Sequence, residues 1–161
     1  MGGSMKRQFG AWLMVFLCLS VLGGTITDFT LPRADGSLFR MRDHLGEKLF
    51  VIDFWASWCK PCKSLLKRLQ EIKQEVPEVE VIAISIDDAS ARTAAESYIR
   101  GKGFDFITLF DAEGRVAKDL NPSMKIPFTL IIDRQGTIVY THSGYIPGIE
   151  SEIKNRLQEA Q

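Results

Sequence analysis

The chain has 161 residues, 45% of them apolar, and its 20 basic residues balance its 20 acidic ones. That length suits one domain with a sizeable core plus a short extra segment. With no net charge and no Lys/Arg block to track a phosphate backbone, nucleic acid is excluded as a partner class.

Met1-Gly2-Gly3-Ser4 ahead of a second methionine reads as a cloning scar, which makes Met5 the natural start. Basic Lys6-Arg7, an apolar run from Ala11 to Leu22 and the small pair Gly23-Gly24 follow the order of a secretory signal. The run is shorter than the roughly 20 residues that cross a bilayer comfortably. Residues 5–24 are therefore expected to be a signal peptide or an N-terminal membrane anchor, and residues 25–161 the folded domain. Cys18 follows Phe16 and Leu17 rather than small residues, so it reads as apolar filler. The expected location is outside the cytoplasm, periplasmic or held at the membrane.

Asp28 to Pro32 and Ser37 to Phe39 flank Asp35-Gly36, the signature of a hairpin turn. Leu49 to Trp55 is apolar apart from Asp53, which predicts a buried central strand. From Lys60 to Val76, Leu65, Leu66, Leu69, Ile72 and Val76 recur at helical spacing until Pro77 stops them. Val79 to Ile86 predicts a second buried strand, and Ser90 to about Arg100 a helix ended by Gly101 and Gly103. Phe106–Phe110 and Arg115–Leu120 follow as a short strand and a short helix. Phe128–Asp133 and Thr137–His142 form a hairpin around Arg134-Gln135-Gly136, and Ile149–Leu157 closes with an amphipathic helix. This order predicts an α/β fold, a mixed sheet with helices on both faces.

Downstream of the leader only Cys59 and Cys62 remain, separated by Lys60 and Pro61. A disulfide closing so short a loop constrains the unfolded chain little, so a structural staple is a weak explanation and a working dithiol a better one. The strand-to-helix junction puts Cys59 at a helix N-terminus, where unpaired N–H groups and the macrodipole favour an anion. The thiolate is the attacking form, and Lys60 adds a nearby positive charge. Pro61 fits the first turn, where its missing N–H costs nothing. Helical neighbours three apart have Cβ atoms about 5–6 Å from each other, so a slight tightening closes a disulfide. Cys59 is then the attacking sulfur, exposed to a partner, and Cys62 the resolving one. A structural zinc site wants four ligands; there is no second cysteine pair, and His44 and His142 stand alone in separate segments, so no metal and no cofactor are expected. Asp53 lies six residues before Cys59 in an apolar strand, where burial should raise its pKa and suit it to relay a proton to or from Cys62.

The run Phe54-Trp55-Ala56-Ser57-Trp58-Cys59-Lys60-Pro61-Cys62-Lys63, with Asp28-Phe29-Thr30-Leu31 and Pro127-Phe128-Thr129-Leu130, resembles the thioredoxin superfamily. The similarity is to its exported TlpA/ResA-like branch and runs from about Asp28 to the C-terminus. It implies a thioredoxin fold with an N-terminal β-hairpin and a strand–helix element inserted over roughly Ile84 to Thr108. It also implies that Ile126-Pro127 is a cis-proline loop facing the cysteines. There the Ile126 backbone would pair with a substrate strand and Pro127 would shield the sulfurs. Asp53 looks like the buried acid of thioredoxin. Many relatives of this branch place an acid in the insertion instead, for which Asp88 is the closer match of the pair Asp87-Asp88; a helix-start carboxylate is the alternative role for either. Trp55 and Trp58 are expected to pack around the motif, with Trp58, Lys60 and Pro61 supporting substrate binding. Phe128 departs from the small polar residue of many relatives.

The implied activity is reduction of protein disulfides by a monomer, with protein disulfides or dithiols as partners and a membrane electron donor restoring the dithiol. Apocytochrome c haem-site cysteines are one candidate substrate. The alternative is an oxidase or isomerase with the same residues. A peroxidase is disfavoured by Ala56 standing three residues before Cys59, where Thr is wanted. Copper delivery is disfavoured by the close cysteine spacing, and a non-catalytic binding domain by the intact pair.

Overall fold

A computed structural model describes residues 24–161. The expected scar and the signal or anchor segment lie outside them, Gly24 excepted. Two short strands, β1 (Thr30–Pro32) and β2 (Leu38–Arg40), form the N-terminal hairpin. Gly36 turns at φ 83°, and the Asp35 carboxylate accepts hydrogen bonds from Ser37 N (2.9 Å) and Oγ (2.7 Å). That is the local chemistry by which Asp-Gly reverses a chain.

The main sheet has the order β5-β4-β3-β6-β7. Here β3 is Leu49–Trp55, β4 Val79–Ser85, β5 Ile107–Phe110, β6 Phe128–Ile132 and β7 Ile138–Ser143. Strands β3, β4 and β5 run parallel, and β6 and β7 return antiparallel. The helices are α1 (Lys60–Glu75), α2 (Arg92–Lys102), α3 (Arg115–Leu120) and α4 (Ile149–Glu159).

Every residue of β3 is buried, because it is central and covered on both faces. Its alternation splits the core in two. Leu49, Val51 and Trp55 join the apolar faces of α1, α2 and α4, whereas Phe50, Ile52 and Phe54 join the hairpin and α3. Asp53 shares the parity of Val51 and Trp55 and so faces the α1 side. On α1, Leu65, Leu66, Leu69 and Ile72 are fully buried. At about 1.5–3 kcal/mol for each such side chain, this packing outweighs intrinsic propensity in holding the helix.

Two expectations shift. The helix expected from Ser90 starts at Arg92, because Asp88 Oδ1 takes the N–H groups of Ser90 (2.9 Å) and Ala91 (3.0 Å) into a turn first. It runs through Gly101 and stops at Gly103, whose φ of 65° is the left-handed conformation that ends helices. The inserted segment between β4 and α3 accordingly reads helix then strand, with β5 adding an edge to the sheet beside β4.

Candidate active site

The site lies at the C-terminal end of β3. The chain leaves Trp55, turns through Ala56–Trp58 and enters α1 with Cys59 as its N-cap. Cys59 N donates to Ala56 O (3.0 Å), and Cys59 Sγ accepts from Cys62 N (3.2 Å). A sulfur occupies the place where a capping oxygen satisfies the first-turn N–H groups, and these groups would equally hold a thiolate. No acidic residue lies in the first turn to oppose that charge. Pro61 sits in the turn as expected, exposed beside exposed Lys60.

Cys59 and Cys62 are joined in a disulfide, with Cα atoms 5.3 Å apart. Cys59 keeps 5% of its surface exposed and Cys62 none. The expected exposure of Cys59 is thus reduced to a small opening, and of the two cysteines only this one has any surface open to a partner. Facing this end of β3 is the start of β6: Phe54 is paired with Phe128, the Ile126–Pro127 bond is cis, and Pro127 is buried while Ile126 packs against both halves of the core.

Asp53 is fully buried. Its Oδ1 accepts a hydrogen bond from Thr129 Oγ (3.0 Å), its partner across the β3–β6 register, while Oδ2 has no partner among the described residues. Loss of water pushes its proton affinity well above the usual carboxylate range, and the Thr129 hydroxyl offsets only part of this. It lies on the sheet face that carries both cysteines, so this structure holds at that face a buried acid whose affinity for a proton is raised.

Asp88 does not join this group. It is exposed, its carboxylate is spent on Ser90 and Ala91, and those hydrogen bonds hold its pKa below the usual value. The buried acid of the insertion is its neighbour Asp87, which the sequence alone left as the poorer match. The two tryptophans also separate. Trp55 is fully buried against Tyr98, ring centroids 5.7 Å apart, whereas Trp58 is 70% exposed. His44 stacks on Phe39 and His142 on Tyr140, in separate elements. Among the described residues no three His, Cys, Asp or Glu side chains gather as metal ligands, and no helix is long and apolar enough to cross a membrane.

Three residues of the site went unrecognised in the sequence: Thr129, Ser57 and Ser85. For Thr129 the signal was there, a lone hydroxyl in the apolar run Phe128–Ile132.

Residues 22–141 match the AhpC/TSA family. The chain belongs to the AhpC/TSA family. Among family relatives, thioredoxin-like protein YneN of Bacillus subtilis is 30% identical over 138 residues, covering 82% of this chain and 77% of its own length. Thiol-disulfide oxidoreductase ResA of Bacillus thuringiensis is 24% identical over 140 residues, 86% of this chain and 75% of the relative. The crystal structure of a candidate thiol:disulfide interchange protein DsbE from Chlorobium tepidum superposes with a TM-score of 0.77 at 25% identity, over 86% of this chain and 96% of that one. With its intact cysteine pair at a helix start, this AhpC/TSA member is a thiol–disulfide oxidoreductase of thioredoxin fold.

Proposed function

We propose that the chain is an exported reductase of protein disulfides. The observation that carries this reading is the asymmetry of the two cysteines: Cys59, at a helix N-terminus, is buried but for 5% of its surface, and Cys62 is fully sealed behind it on the face where Asp53 is buried. In the reduced form the Cys59 thiolate attacks a substrate disulfide. A Cys59–substrate disulfide forms, and the first substrate sulfur leaves as a thiolate. Cys62 then gives its proton to the Asp53 carboxylate and attacks the Cys59 sulfur. The second substrate sulfur departs, and the intramolecular disulfide closes. Two electrons pass from the dithiol to the substrate, and a membrane electron donor returns them.

Ile126 lends its backbone to the substrate strand, and Pro127 shields the sulfurs. Trp58, Lys60 and Pro61 form the exposed rim on which the substrate rests. Export follows from the charged, apolar and small order of residues 5–24, and apocytochrome c cysteines are a fitting substrate for a reductase in that location. The protein acts as a monomer.

Direction is decided by measurement. Dithiols on this fold span about −270 to about −120 mV, some 7 kcal/mol at about 1.4 kcal/mol per 30 mV. The expected potential is at the negative end, with insulin disulfides reduced by the wild type and not by Cys59→Ser. A potential near −120 mV would instead make the chain an oxidase.

A further inference from the structure

We propose that Asp87 is a positioning residue for the redox centre, clamping the turn that presents Cys59 to the end of the neighbouring strand. The turn Ala56–Trp58 lies beyond the last pair of the β3–β4 ladder, and backbone steadies it through Ile86 N on Trp55 O (2.9 Å) just before it and Cys59 N on Ala56 O (3.0 Å) across it, which leaves Ser57 N to a side chain. Past that point Asp87 takes over. Its Oδ2 accepts from Ser57 N (2.7 Å) and from Ser85 Oγ (2.8 Å), and its Oδ1 accepts from Ser57 Oγ (2.7 Å). Ser85 Oγ in turn accepts from Asp87 N (3.1 Å), and Ser85 O accepts from Asp111 N (2.8 Å), which ties the clamp to the segment after β5.

The backbone N–H and the hydroxyl of Ser57 are thus both held by one carboxylate just past the end of the next strand. Ser57 is two residues before the attacking sulfur and adjacent to exposed Trp58. Fixing its backbone fixes the direction in which Trp58 and Cys59 leave the turn. A buried carboxylate is a costly way to stabilise a fold, since a well-packed apolar side chain does as well or better. What apolar packing does not supply is directional anchoring of a backbone N–H. Asp88, one residue on, faces solvent and has no part in this.

This inference rests on thiol–disulfide exchange and is independent of its direction, so two readouts are needed. The first is kcat/KM for insulin reduction, and the second is the equilibrium constant of the Cys59–Cys62 pair against glutathione, which reports the relative placement of the sulfurs whichever way electrons flow. Asp87→Asn keeps the shape but turns one acceptor into a donor facing the serines. It is expected to lower kcat/KM about 10- to 100-fold, the scale of a misplacement near 1 Å, and to move the glutathione constant at least threefold. Ser57→Ala keeps the backbone bond and should lose two- to tenfold in kcat/KM. The double variant should be no slower than Asp87→Asn, because the two residues act as one unit.

A folded Asp87→Asn protein whose glutathione constant is unmoved overturns the proposal, whatever its melting temperature. If Asp87→Asn does not fold, Ser57→Ala decides: within twofold of wild type in both readouts, the clamp is refuted. If the wild type exchanges with glutathione but leaves insulin intact, the reductase reading fails, and the shifted or unshifted constant still judges Asp87.

Discussion

Replacing Asp53 by Asn should change how stability depends on pH more than it changes stability itself. In the unfolded chain this carboxyl titrates near pH 4, whereas in the fold burial raises its pKa well above that value. Between the two values the native state holds one proton more than the unfolded state. Stability from this group is therefore greatest at low pH and falls as pH rises, by at most about 1.4 kcal/mol per pH unit for one proton, until the folded pKa is passed. Asn carries no proton to lose, so the stability of Asp53→Asn minus wild type should climb with that slope from about pH 4 upward and then level off. A constant offset accompanies it. The Thr129 bond can be kept by the amide oxygen, but the amide N–H₂ replaces an oxygen that already lacks a partner, at about 1–3 kcal/mol for an unsatisfied buried group. Urea unfolding of both oxidised proteins from pH 4 to 9 separates slope from offset. A difference that stays flat across this range would show that Asp53 titrates like an exposed carboxylate, and the proton-relay role would go with it.

Leu69→Ala on α1 removes a fully buried side chain from the half of the core that holds both cysteines. A loss of about 2–5 kcal/mol in urea unfolding is expected, and a loss below 1 kcal/mol would mean that α1 is not seated on the sheet as described. Trp58→Ala should leave stability within about 0.5 kcal/mol, since the ring is 70% exposed. It should raise KM for a protein disulfide several-fold while sparing exchange with glutathione; an unchanged KM would remove Trp58 from the docking rim.

Much of the architecture was legible because it rests on local periodicity. Leu65, Leu66, Leu69 and Ile72 mark the buried stripe of α1, and the unbroken apolar run of β3 announces a strand covered on both faces. Boundaries moved where side chains competed with the backbone, as at Asp88, whose carboxylate delays α2 to Arg92. The choice between the two acids of the insertion stayed open for the same kind of reason, and Asp88 takes the helix-start role that was its alternative. Asp87 and Asp88 are indistinguishable in composition and spacing, yet one turns inward to Ser57 and Ser85 and the other outward to Ser90.

From its order of residues alone, this protein was determined to carry a dithiol at a strand-to-helix junction, with Asp53 buried in the preceding strand, because strand parity, helix capping and cysteine spacing act over only a few residues. Tertiary structure decided which groups meet that dithiol. Thr129 reaches Asp53 from 76 positions away and Asp87 reaches Ser57 from 30. Such contacts depend on which strands become neighbours and in what register, and pairing energy between strands distant in the chain leaves no periodic trace in either strand by itself.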